Sequence, residues 1–187
     1  MFSFLHRDRF VVATLCVALP KGDASALHAR ALQSVRAIAA DGTDFARASA
    51  ETAALARALL DREHMWSHVG GFGDVYDREE DAAVAADAAY ADAAGRYLSS
   101  ADDGPATAGA RAGHIVLLLT VAYAGEAAQI ERPIASRDDL HGALLAVAAL
   151  HDDDKLLVAH VHVSPGHPDD AVTEEQLLAS FPELLSA

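Results

Sequence analysis

The chain has 187 residues and a formal net charge of −14, with 28 acidic residues against 14 basic ones. A molecule of this charge repels phosphate, and no local cluster of Lys and Arg offsets it, so we expect no binding to nucleic acid. Apolar residues make up 52% of the chain, and its length allows one domain with its own core. No apolar stretch is long enough to cross a bilayer, so no membrane span is predicted.

The single cysteine, Cys16, bounds the chemistry and the compartment. One thiol can form neither an internal disulfide nor a zinc site with several thiolates, which favours a reducing, cytoplasmic location. Its apolar surroundings favour a buried thiol over a reactive one. The basic residues before Phe10 imitate a secretory signal, but Asp8 among them and the polar residues Pro20 to Asp23 favour a first β-strand instead.

The first third of the chain predicts a strand followed by two helices. The run Phe10 to Leu19 is rich in β-branched residues and apolar on both faces, as in a buried strand. Apolar residues then recur at helical spacing from Leu27 to Ala39, and Asp41-Gly42 ends that helix. The same spacing predicts a second helix that begins near Phe45 and ends at about Arg62.

The middle of the chain is rich in glycine, alanine and aspartate. The segment His64 to Asp77 contains three nearby glycines and predicts a loop. An acidic first turn opens a third helix from Asp77 to about Leu98, and Ser99 to Gly113 predicts a second loop. We therefore predict a single domain over residues 1–187, with residues 68–113 as a helical insertion flanked by flexible loops.

The last third of the chain predicts two strands and two helices. The continuous apolar run Ile115 to Tyr123 is typical of a central strand, and Lys155 to Val163 predicts another strand. Between them, Ser136 to Asp139 forms a capping box that opens a helix. Thr173 and Gln176 form a second capping box, which opens a helix that we expect to pack on the domain through Leu177, Leu178 and Phe181.

These elements predict an α/β fold, with α+β as the alternative. The predicted order is β-α-α-α-β-α-β-α, with helices covering a small three-stranded sheet. We expect Ile115 to Tyr123 to be the middle strand, with Phe10 to Leu19 and Lys155 to Val163 beside it. The segment from about residue 114 to 163 has the size of a βαβ unit, whose two strands are parallel.

The tail of the chain resembles a known family, domain of unknown function 1517, found in cyanobacterial and chloroplast proteins. Residues Lys155 to Pro165 and Asp170 to Leu184 are similar to that family's ending, in which a strand, a turn, a short helix and a Pro stop follow one another. Pro133 to Leu140 resembles its helix entry, and Glu51 to Trp66 resembles an earlier helix with its Trp. Val163 departs from the family, which has Trp there. The family has no assigned chemistry, so the resemblance implies a fold and no activity.

Histidines supply the best chemical hint in the sequence. His160 and His162 lie two apart in a predicted strand, so both imidazoles project from one face, an arrangement that can chelate a metal. His167 in the following loop is a candidate third ligand, as are His114 and Asp169. The alternative is that these histidines face solvent or a half-polar sheet edge. We therefore predict no bound metal and no cofactor.

Function is the least determined property of this sequence. The sequence contains no recognisable catalytic motif. We therefore expect a non-catalytic protein-interaction or regulatory domain that binds a protein partner or a second copy of itself. One alternative is a metal-binding protein or metal-dependent enzyme that uses His160 and His162. Another is a small-molecule-binding module near Trp66 and Phe72, which are also the weak candidates for contacting a partner.

Overall fold

The computed structural model describes residues 9–40, 44–100 and 113–187. Within these ranges the chain forms five strands and five α-helices, together with a short 3-10 turn at Glu63–Met65. Their bounds, in chain order, are β1 (Phe10–Pro20), α1 (Lys21–Ala40), α2 (Phe45–Leu60), β2 (His68–Tyr76), α3 (Glu79–Ser100), β3 (His114–Ala124), α4 (Arg137–Asp152), β4 (Leu156–Ser164), α5 (Glu174–Ser180) and β5 (Leu185–Ser186).

The five strands form one sheet in the order β4-β3-β1-β2-β5, and every neighbouring pair is antiparallel. The prediction that β3 lies between β1 and β4 is confirmed. The prediction of a small three-stranded sheet is wrong, because β2 and β5 extend the sheet beyond β1. The sheet and the helices nevertheless make an α/β architecture.

The predicted parallel βαβ unit is also wrong, because β3 and β4 are antiparallel. The reason lies in the connection between β3 and α4. It runs back past β2, where Ile134 bridges Gly71 and the carbonyl oxygen of Ile130 lies against Gly73. When α4 begins, the connection has therefore already carried the chain back toward the end of the sheet at which β3 starts. Helix α4 then returns the chain to the end at which β3 finishes, so β4 runs antiparallel to β3.

The loop predicted for residues 64–77 is largely strand β2, and its glycines have a steric reason. A Cβ on Gly70 would lie 2.4 Å from the backbone oxygen of Glu183, and one on Gly71 would lie 2.4 Å from the backbone oxygen of Thr14. Residues without a side chain are required where other backbone segments approach β2 this closely. The second predicted loop and the predicted end of α1 at Asp41-Gly42 lie mostly outside the described residues.

Both faces of the sheet are covered, which explains the uninterrupted apolar sequences of β1 and β3. On one face, alternate residues such as Leu15 and Leu117 pack against α1, α2 and α4 in the main core. On the other face, Cys16 and Leu118 pack against residues of α3, α5 and the tail that follows α5. We call the second side the α3 face.

Both predicted caps stand at helix starts, but only the one at Thr173 is a full capping box, since at α4 the Asp139 carboxylate accepts from the Ser136 hydroxyl. The Ser136 side chain accepts the backbone N–H of Asp139, and Thr173 and Gln176 cap α5 reciprocally. The docking predicted for the tail is confirmed for Leu177 and Phe181, which are buried, and is wrong for Leu178, which is 61% exposed. In a helix of only two turns, residues 177 and 181 share one face while residue 178 lies about 100° around the helix.

Candidate functional site

The structure places His160 and His162 on the α3 face of β4, beneath Tyr90 of α3. The Tyr90 ring stacks on that of His160, with centroids 4.7 Å apart and planes 25° apart, and lies edge-on to that of His162 at 6.4 Å. His160 Nε2 lies 2.8 Å from Oδ1 of Asp87, and His162 Nε2 lies 2.9 Å from Oγ of Ser164. Each imidazole therefore has its own hydrogen-bond partner, and the two do not converge on a common point.

Burial governs the chemistry of His162. Desolvation lowers the pKa of His162 below its usual value of 6.5, so the ring is neutral at neutral pH. Its partner Ser164 is fully buried. Since no substrate can reach the hydroxyl of Ser164 in this arrangement, the His162–Ser164 pair fixes the end of β4 and does not form an accessible nucleophile.

His167, which the sequence suggested as a third metal ligand, lies apart from His160 and His162. His167 is in the turn after β4, its side chain is 67% exposed, and its Nδ1 accepts the backbone N–H of Asp169. Across residues 9–40, 44–100 and 113–187, no group of three His, Cys, Asp or Glu side chains is arranged so that it could hold a metal ion. The weak candidates His160, His162 and His167 are thus not brought together.

A second histidine pair, which sequence reasoning missed as a pair, lies under the start of α5. The rings of His68 and His114 meet edge to face, with centroids 5.6 Å apart, and the carboxylate of Glu174 lies 3.8 Å from His68 Nε2 and 3.6 Å from His114 Nδ1. Burial lowers the pKa of His114, against an opposing effect of Glu174. These residues come from β2, β3 and α5, so no local spacing could indicate their proximity.

The two aromatic candidates for contacting a partner or small molecule lie on opposite sides of the sheet. Trp66 is 2% exposed in the main core, and its backbone oxygen accepts a hydrogen bond from Arg137. Phe72 is 42% exposed and pairs in register with Thr14, whose side chain contacts Thr120 on the α3 face. The structure therefore does not bring Trp66 and Phe72 into one pocket.

One edge of the sheet is covered by other parts of the chain. On the outer side of β2, β5 pairs with His68 and Val69, and the N–H of Ile134 donates to the carbonyl of Gly71. The backbone around Ile130 lies against Gly73. Backbone groups along most of this edge are thus occupied or shielded.

The opposite edge, which we call the β4 edge, is different. The nine-residue strand β4 pairs only with β3, and nowhere in the described ranges does another strand lie on its outer side. Features that block strand addition stand only at its ends: the extra residue Leu157, which shifts the register near the start of β4, Lys155 before the strand and Pro165 after it. Between Val158 and Val163 there is no charge, proline or irregularity.

The β4 edge also has an unusual charge for this molecule. From Leu156 to Pro168 the sequence contains no Asp, Glu, Lys or Arg, in a chain with 28 acidic residues. Apolar residues predominate, and the partly exposed side chains of Val158, His160 and His162 line the α3 face beside the edge. This surface is therefore neutral where its surroundings are acidic.

Comparisons with known proteins agree with the resemblance noted in the sequence. No helix among the described residues combines the length and apolarity needed to cross a membrane. Neither the curated proteins nor the solved structures include a match to the chain. The family model described as "Protein of unknown function (DUF1517)" matches residues 9–187, which is essentially the whole chain, so the chain belongs to that family.

Proposed function

We propose that this chain is a non-catalytic protein-interaction domain that binds an extended polypeptide strand along the β4 edge. The observation that supports the proposal is the contrast between the two sheet edges: β2 is covered by β5 and by the connection before α4, whereas no strand in the described part of the chain covers β4. An uncovered edge presents a row of backbone N–H and C=O groups that can pair with another strand.

The length and composition of the edge suit this mode of recognition. Between Val158 and Val163, about 20 Å of regular strand is free of features that oppose pairing. Main-chain hydrogen bonds would provide affinity, and alternate side chains would provide selectivity. The side chains at those alternate positions are Val158, His160 and His162, which favour an apolar or neutral partner strand.

Both faces of β4 are supported, so a partner strand would dock on a rigid edge. Val161 and Val163 are buried in the main core, and the imidazole of His160 is fixed by Tyr90 and Asp87. A preorganised edge costs less conformational entropy on binding than a flexible loop would.

We also propose a cytoplasmic location. Cys16 is fully buried, and burial together with the nearby Glu183 carboxylate raises its pKa well above the usual value. A protonated, inaccessible thiol has a packing role and stays reduced, which is consistent with a reducing compartment.

A peptide-binding experiment tests the proposed function. A library of short extended peptides of alternating sequence is screened against the protein, and each hit is titrated while the backbone amide signals are followed by NMR. We expect shifts concentrated in β4, and at least tenfold weaker binding to the variant Val158→Lys, which places a charge beside the edge.

The matched control is Val84→Lys, which adds the same charge to a side chain of α3 that is 69% exposed. It should bind the peptides like the unmodified protein. Peptides that bind Val158→Lys as tightly as Val84→Lys, or a library without hits, would contradict the proposal.

A further inference from the structure

We infer that the strand that pairs with the β4 edge is β4 of a second copy of this chain. This inference rests on the proposed function of that edge. The two copies would be antiparallel about a two-fold axis near the middle of β4. Two five-stranded sheets would then form one continuous sheet of ten strands.

Charge is the first argument for a second copy. With a net charge of −14, two copies repel each other over most of their surfaces. The segment Leu156 to Pro168 is free of charged residues, so pairing along β4 places no carboxylate directly opposite another. Self-association is therefore least opposed at this edge.

Antiparallel geometry also suits the residues that flank β4. It places the turn before β4 of one copy near the turn after β4 of the other. Lys155 then lies toward the acidic pair Asp169-Asp170 and offsets part of the repulsion between that pair and the aspartates of residues 152–154.

Symmetry limits the assembly to a dimer. Antiparallel pairing of β4 with itself uses the same surface on both copies and closes on itself. The other sheet edge is poorly suited to extend the assembly, because β5 and the segment around Ile134 cover most of β2. A protein with an open edge of β-branched residues thereby avoids unlimited edge-to-edge growth.

The side chains near the axis fit close strand pairing. Val158, Val161 and Val163 are β-branched residues of the kind that form favourable cross-strand pairs. With the axis at His160, each His160 would meet its counterpart, and each His162 would lie opposite Val158 of the other copy on the α3 face, where His162 is neutral because burial lowers its pKa. The charged group that faces these imidazoles from α3 is Asp87.

Sedimentation equilibrium tests the inference on the full chain over a range of concentrations from about 1 to 500 μM. We expect the mass to rise from that of the 19.6 kDa chain toward twice that value, and the dimer to become tighter at higher salt, because salt screens the repulsion between acidic surfaces. Val158→Lys should weaken dimerisation at least tenfold, whereas Val84→Lys should not.

If Val158→Lys is unstable, a second edge variant, His160→Lys, still tests the inference, because a lysine at position 160 can pair with Asp87. It should also weaken the dimer. A chain that stays monomeric at all concentrations overturns the second-copy inference, and if it still binds peptides in a Val158-dependent way the proposed function stands. A dimer that both edge variants leave unchanged overturns the assignment to β4.

Discussion

Replacing Phe181 by alanine gives the sharpest test of how the C-terminal segment contributes to stability. Phe181 is 1% exposed and belongs to the cluster on the α3 face that includes Cys16, Leu118 and Leu177. Truncation of a fully buried Phe to Ala costs about 3–5 kcal/mol, since it removes apolar contact and leaves a cavity. This is a large fraction of the roughly 5–15 kcal/mol that stabilises a whole domain.

The assay is urea unfolding followed by circular dichroism, with Leu178→Ala as the matched control. Leu178 lies in the same helix but is 61% exposed, so its truncation should change the free energy of unfolding by no more than about 0.5 kcal/mol. For a domain of this size, Phe181→Ala should also lower the melting temperature by about 6–20 °C. Equal stabilities of the two variants would refute the docking of this segment on the sheet.

Three further predictions concern packing, pH and thiol reactivity. Gly70→Ala should destabilise the protein by about 1–3 kcal/mol in urea unfolding, because its Cβ would lie 2.4 Å from the Glu183 backbone oxygen. The control Gly95→Ala, in open space on α3, should be neutral or stabilising. The reverse order of stabilities would contradict the packing of the tail on β2. Stability should be complete above about pH 6.5 and fall as the pH drops below it, because the unfolded chain binds protons there before the folded one does. A flat urea midpoint between pH 7.5 and 5.5 would argue against the lowered pKa values of three histidines, His28, His114 and His162. Cys16 should react with a thiol reagent only after unfolding, and rapid labelling of the native protein would show that it is not buried.

The elements with regular patterns could be predicted from the sequence. The uninterrupted apolar run Ile115 to Tyr123 indicated a strand covered on both faces, and β3 has that position. Capping residues located the starts of α4 and α5 because their side chains bond to backbone N–H groups a few residues away. Such signals are local, so one sequence is enough to detect them.

The parts of the fold that depend on distant contacts could not be predicted. The glycines of β2 indicated a loop, yet they are required by the approach of Glu183 and Thr14 from remote positions in the chain. The direction of β4 relative to β3 depended on the path of the connection past β2, which has no periodic pattern.

The same limit applied to the candidate sites. Strand alternation placed His160 and His162 on one face, but their partners Asp87 and Tyr90 come from α3. That β4 is an edge strand follows from the order of the whole sheet and from no residue within β4.

Amide hydrogen exchange along β4 is the most direct measurement of the central claim, that the β4 edge pairs with another strand. Exchange is measured by NMR in a dilute sample and in a concentrated one. We expect the exchange of alternate amides between Val158 and Val163, those directed away from β3, to be at least tenfold slower in the concentrated sample, and we expect Val158→Lys to abolish this protection. Outward amides of β4 that exchange at the same rate in both samples and on addition of library peptides would contradict the account.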